Sequence, residues 1–130
     1  MTGNKFLVDT NIISALIKGD ESIAKKIESA TAIYIPIIVL GELYFGALNS
    51  WQIQYNRGVI KKFTTRYKLL LLDEDTSIEY GKVKSKLKKQ GTPIPENDIW
   101  IAAMAIRHNL KLATRDKHFN QVKTLKIINW

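Results

Sequence analysis

Five short apolar runs punctuate this chain: KFLVD (5–9), AIYIP (32–36), KLLLLD (68–73), LKLAT (110–114 with its leading leucine) and LKIINW, which closes it. Runs of this length, rich in aliphatic and β-branched residues, read as buried strands. The stretches between them carry apolar residues at helical spacing. Strands alternating with helices argue for a mostly parallel sheet covered on both faces. The expected fold is α/β: four to five central strands sandwiched by helices, in one domain spanning 1–130.

The helical stretches are legible one by one. NIISALIKG follows the first strand and stops at a glycine. Residues 22–30 form an amphipathic segment with Ser22 as its expected cap. IIVLGELYFGAL follows Pro36, and its two glycines weaken it as a helix. Residues 52–67 place Ile53, Val59, Ile60 and Phe63 inward, and residues 75–90 carry Ile78, Val83 and Leu87 as an apolar stripe. GTPIPEN reads as a loop, and 98–109 is the strongest helix.

Composition narrows the function. The 130 residues include no cysteine, which excludes a disulfide scaffold, a thiol nucleophile and a cysteine zinc site. The N-terminal MTGNKFLVDTNII has no basic region leading into a long apolar one, so no signal peptide is expected, and no apolar run suits a membrane span. The expected setting is the cytoplasm. A net charge of +8 fits a polyanionic partner, but charge alone does not separate that from a lysine-rich surface. The basic KVKSKLKKQG stretch reads as a solvated helix face.

Against that positive background, several carboxylates stand in awkward places. In an open parallel sheet, ligands bind beyond the carboxyl ends of the strands. Asp9 ends the first strand and Asp116 lies just past LKLAT; Asp98 opens the helix before that strand. Glu42 sits inside an apolar helix with no basic residue near it in sequence. Each has a plain structural role available: Asp9 as acceptor at a strand–helix junction, Asp98 as cap or first-turn acid, Asp116 in a turn. Glu42 is harder to explain that way, because an unpaired buried carboxylate is costly. Two like charges about 4 Å apart repel by ~4 kcal/mol at an effective dielectric near 20. A cluster of them persists only by taking up protons or a cation. Hard divalent cations prefer oxygen donors, and Mg²⁺ bridges readily to phosphate. Carboxylates, Mg²⁺ and a basic surface together suggest phosphodiester chemistry.

With those residues in view, the chain resembles the PIN-domain ribonucleases, and within them the VapC-type toxins of toxin–antitoxin pairs. FLVDTNIISAL is similar to the family's opening strand and its Asp-Thr-Asn. PIIVLGELYFGA is similar to its glutamate helix, GTPIPENDIWIAAMAI to its central aspartate helix, and LATRDKHF to its closing Thr-x-Asp-x-x-Phe segment. The four matches come in the family order and span nearly the whole chain. The resemblance implies that Asp9, Glu42, Asp98 and Asp116 form an acidic, catalytic metal pocket for Mg²⁺ or Mn²⁺, with Thr10, Asn11 and Thr114 supporting it by hydrogen bonds. It implies an endoribonuclease acting on RNA such as tRNA or ribosomal RNA, a cognate antitoxin that plugs the cleft, and a homodimer. Asn97 is not acidic and is not counted as a ligand.

Arg115 and Lys117 flank Asp116 and are candidates for RNA phosphates, although solvated surface charge explains them as well. His108 suits a helix C-terminus, and neither it nor His118 has a metal-ligand spacing, so both read as structural. Trp51, Trp100 and Trp130 read as core or interface anchors. Three other readings stand beside the toxin: a PIN-domain nuclease that is no toxin, a non-catalytic RNA-binding module on the same fold, and a phosphoacceptor domain or aspartyl phosphatase. The phosphatase wants a second aspartate two residues after the strand-end one, where this chain has Asn11. The phosphoacceptor wants an acidic pair that Asp9 lacks.

Overall fold

The computed structural model describes residues 4–130. Met1 to Gly3, which begin the stretch read as free of a leader pattern, lie outside the described residues. The chain runs β1 (Lys5–Val8), α1 (Thr10–Ile17), α2 (Glu21–Ser29), β2 (Ala32–Pro36), α3 (Ile37–Leu48), α4 (Ile53–Thr64), β3 (Lys68–Leu70), α5 (Glu74–Gln90), α6 (Glu96–Arg107), β4 (Lys111–Thr114), a short 3₁₀ turn (Lys117–Gln121) and β5 (Ile127–Asn129). The strands form one sheet in the order β3-β2-β1-β4-β5, every pair parallel.

The central strands explain why the sheet is a middle layer. Successive strand residues point to opposite faces. Leu7 and Val8 of β1, and Leu112 and Ala113 of β4, are all fully buried, so both faces of the sheet are covered. The edge behaves differently. KLLLLD, expected as a buried strand, yields only three strand residues, and Leu69, Leu71 and Leu72 are exposed. Its one strand neighbour is β2, and among the described residues no strand pairs with its other edge.

Other expectations shift in detail. Helix α2 is capped by Asp20 and not by Ser22: the Asp20 carboxylate accepts from the Ile23 amide at 3.1 Å. The chain leaves α1 through Gly19 at φ +89°, and this turn sets Asp20, in extended geometry, at the capping position. In α4 only Ile60 is buried, and Ile53 is exposed. On α5 the inward stripe is Thr76, Tyr80, Val83 and Leu87, while Ile78 faces out. Thr76 tolerates burial because Asp73, the α5 cap, accepts from both its amide (2.8 Å) and its hydroxyl (2.7 Å). Helix α6 begins two residues before Asp98, at Glu96, and ends at Arg107. Among the described residues no helix is long and apolar enough to cross a membrane.

The strand order places the site. The chain moves outward from β1 through β2 to β3, then returns to the other side of β1 to add β4 and β5. The order therefore reverses between β1 and β4, and a crevice opens beyond the carboxyl ends of those two strands.

Candidate metal centre

Asp9 leaves β1 at that crevice and caps α1. Its Oδ1 accepts from the Thr10 amide at 2.8 Å. Its Oδ2 accepts from the Thr114 hydroxyl at 2.7 Å and from Asn11 Nδ2 at 3.2 Å. Thr114 ends β4 and is fully buried; its Oγ1 also accepts from the Asp116 amide at 2.9 Å. One hydroxyl thus ties the ends of both central strands to two of the carboxylates. Asn11 completes the tie, its Oδ1 accepting from the Arg115 amide at 3.1 Å.

Glu42 comes from α3 and is half-buried. Its Oε1 accepts from the Thr10 hydroxyl at 2.8 Å, so the partner missing nearby in sequence comes from 32 residues upstream. Asp98 is the third residue of α6, in the first turn, where the helix dipole favours an anion. Its side chain is only 13% exposed. The alanines behind it do the packing: Ala102, Ala103 and Ala105 are fully buried, and their size lets α6 lie close to its neighbours. Asp116 caps the 3₁₀ turn, its Oδ1 accepting from the His118 amide at 2.9 Å.

Asp9, Glu42, Asp98 and Asp116 line one open pocket of about 470 Å³ together with Thr10 and Asn11. Their electrostatics show the strain of crowding. The Asp98 carboxyl is pushed from the usual 3.8 up to about 6, first by burial, then by the charges of Asp9 and Asp116; His118 pulls it down and Glu42 pushes it up again. Burial also raises Asp9, against the opposing pull of hydrogen bonds from Thr114 and Thr10. Like charges held this close invite a proton or a cation.

Other groups stand in the pocket or against its carboxylates. His118 Nδ1 lies 3.1 Å from Asp116 Oδ1 and 3.5 Å from Asp98 Oδ2. Donor atoms of Asp98, Asp116 and His118 all fall within 4.8 Å of one another, a set that suits a divalent cation. The two aspartates are 18 positions apart in sequence, so no ligand spacing announced His118. Lys18 and Ser14 line the pocket as well; nothing in the sequence marked them, because only the α1 helix turns them toward it. Arg115 also lines it, yet its guanidinium pairs with Asp20 at 2.9 Å and donates to the Trp130 carbonyl at 3.3 Å. Lys117 is exposed. His108 caps the far end of α6, and its Nε2 is buried with no hydrogen-bond partner among the described residues.

Comparison with known proteins places the chain in a family. The family model for the PIN domain matches residues 6–125. A protein named ribonuclease VapC2 from Haemophilus influenzae is 34% identical over 97% of this chain and 98% of its own length. A tRNA(fMet)-specific endonuclease VapC from Salmonella typhimurium is 30% identical over the same shares. Among solved structures, VapBC-1 from nontypeable Haemophilus influenzae superposes with a TM-score of 0.89 at 33% identity, covering 97% of this chain and 98% of that one. VapBC2 from Rickettsia felis, bound to a DNA fragment from their promoter, gives a TM-score of 0.92 at 29% identity over the same shares. The chain belongs to the PIN-domain family, among the VapC-type ribonucleases.

Proposed function

We propose that this chain is a divalent-metal-dependent endoribonuclease, the toxin of a VapBC-type pair, hydrolysing phosphodiester bonds of cellular RNA, with tRNA or ribosomal RNA as the substrate class. The observation that carries this reading is the convergence of Asp9, Glu42, Asp98 and Asp116 on one pocket of a chain whose net charge is +8. A pure RNA binder gains nothing from crowding negative charge where phosphates must approach, whereas a metal-dependent nuclease requires it. The sequence relatives named as ribonuclease and tRNA endonuclease support the same choice.

Each residue has a task that its contacts allow. Asp9, Glu42, Asp98 and Asp116 are the candidate metal ligands, with Glu42 held in place by the Thr10 hydroxyl. A divalent ion held by these carboxylates would activate a water and would offset negative charge on the phosphoryl oxygens. Thr114 and Asn11 keep the Asp9 carboxylate in one orientation, which preserves its ionised form despite burial. Thr10 does the same for Glu42. Lys18 and Lys117, both exposed near the pocket, meet backbone phosphates. Arg115 joins them by exchanging Asp20 for a phosphate.

A cognate antitoxin belongs to the same reading. Phe45 (71% exposed) and Trp51 (96% exposed), with Leu48 and Tyr55, form an apolar run across the α3–α4 turn. A groove between α1, α3 and α4 lies beside it and shares Ser14 and Lys18 with the acidic pocket. An apolar patch of this kind marks a protein partner, and one lying along it reaches the acidic cleft. The solved VapBC complexes support such a partner. The exposed Leu69 of edge strand β3, with Leu71 and Leu72 just after it, supports a homodimer.

The test is incubation of the chain, free of any antitoxin, with total tRNA and ribosomal RNA in Mg²⁺, in Mn²⁺ and in EDTA, beside Asp9→Asn and Asp98→Asn. Discrete fragments that need metal and disappear in folded variants are the expected result. RNA binding without cleavage under every condition would replace the nuclease with a binding module.

A further inference from the structure

The family motifs place carboxylates in the pocket; they say nothing of a nitrogen there. Yet His118 Nδ1 faces Asp116 Oδ1 at 3.1 Å and Asp98 Oδ2 at 3.5 Å. The position is built rather than accidental. The Asp116 carboxylate caps the 3₁₀ turn through the His118 amide, which fixes the backbone carrying the imidazole relative to the carboxylate. The next residue, Phe119, is fully buried and anchors the turn in the core. Three electron-rich atoms therefore point at one another. A proton on Nδ1 satisfies one of the two oxygens at a time, whereas a cation among the three satisfies all of them. All three donor atoms lie within 4.8 Å of one another, close enough to share one ion.

We propose that His118 Nδ1 is a ligand to the metal held by Asp98 and Asp116, and that this nitrogen tilts the site toward Mn²⁺ and away from Mg²⁺. Mg²⁺ is a hard ion that demands oxygen donors and keeps its waters, so a nitrogen adds little to its binding. Mn²⁺ shares that liking for oxygen, but it belongs to the transition-metal series whose ions also bind nitrogen donors, so between the two it gains more from an imidazole. The His118 side chain is 57% exposed, and its Nδ1 is the ring atom that meets the carboxylates. The proposal rests on the metal-dependent nuclease reading and adds to it the identity of one ligand and the choice of ion.

The test uses the full, tag-free chain and His118→Gln, with Mn²⁺ alone and Mg²⁺ alone. His108, the other histidine, caps the opposite end of α6, so an imidazole nitrogen signal at the pocket belongs to His118. Pulsed electron paramagnetic resonance of the Mn²⁺-loaded chain should show coupling to a ligand nitrogen, and the variant should lack it. Calorimetric titration should show the Mn²⁺ dissociation constant rising by roughly tenfold in the variant, the lower end of what loss of a metal-site partner does. The Mg²⁺ constant should change less than about twofold, since its oxygen donors remain. Mn²⁺ bound by the wild type without nitrogen coupling would overturn the ligand assignment and leave the nuclease reading standing. So would equal weakening for both ions, which marks His118 as a structural support. Failure of the wild type to bind either ion would overturn both readings.

Discussion

Thr114 shows how much a single side chain can carry. Its hydroxyl donates to Asp9 and accepts from the Asp116 amide, so it couples the two carboxylates that end the central strands. Thr114→Val keeps the shape and removes the hydroxyl. Asp9 then loses a charge-assisted partner in a buried position, which should cost about 1–3 kcal/mol of stability. Urea unfolding of the metal-free variant measures that loss, and a smaller Mn²⁺ affinity should accompany it. Asp98 permits a prediction in pH. Its folded carboxyl titrates near 6, against 3.8 when unperturbed. Between those values the folded chain holds more protons than the unfolded one, so stability falls as pH rises through the window. Asp9 shifts in the same direction. In EDTA, the melting temperature of the wild type relative to Asp98→Asn should therefore drop as pH goes from about 4 to about 7. A difference between the two that stays flat with pH would contradict the raised Asp98.

At the scale of elements, α6 is the most constrained part of the molecule. It must pack closely enough to bury Ala102, Ala103 and Ala105, and still present Asp98 at its first turn. Ala103→Leu should overpack that contact and cost about 1–3 kcal/mol. Because α6 carries Asp98, the same change should weaken metal binding even where the chain stays folded; thermal melts and metal titration together separate the two effects. Helix α5 and its cap are joined to α6 by four pairs. Arg107 meets Asp73 and Asp75, Trp100 stacks on Tyr80 with ring centroids 4.0 Å apart, and Lys84 reaches Glu96. The charged pairs are exposed and contribute little; the aromatic stack and the buried Val83 and Leu87 hold the two helices. These cross-helix contacts explain why the apolar spacing of 75–90 led to Ile78. Periodicity identifies a face, but Asp73 capping at the first turn decided that Thr76, and not Ile78, turns inward.

The whole molecule combines a net charge of +8 with one acidic cleft. RNA should be drawn to the surface by its net charge of +8, with affinity falling steeply as salt rises, by about 0.7 in log–log slope per phosphate contacted for single strands. Filter binding of Asp98→Asn across a salt series measures that slope without cleavage; affinity indifferent to salt would argue against phosphate contacts. Metal should act on the fold as well as on chemistry. An ion at 100 times its dissociation constant stabilises the state that binds it by roughly 2.7 kcal/mol. The melting temperature should therefore rise on adding Mn²⁺ to the EDTA-treated chain, and rise less in Asp98→Asn.

Much of this was present in the order of residues. Short apolar runs between helical spacings specify an α/β sheet because side-chain periodicity and length are written locally, and KFLVD and LKLAT form the strands that this pattern predicts. The acidic positions at strand ends and in apolar helices were visible because carboxylates in such places are costly and so conspicuous. What the sequence could not contain was distance. That KLLLL forms a short exposed edge follows from its having no strand beyond it. That Arg115 is held by Asp20, and that His118 meets Asp98 and Asp116, depends on segments far apart in the chain closing on one crevice. Side-chain partnerships of that kind are set by the reversal of strand order between β1 and β4, and only the folded chain brings them within reach of one another.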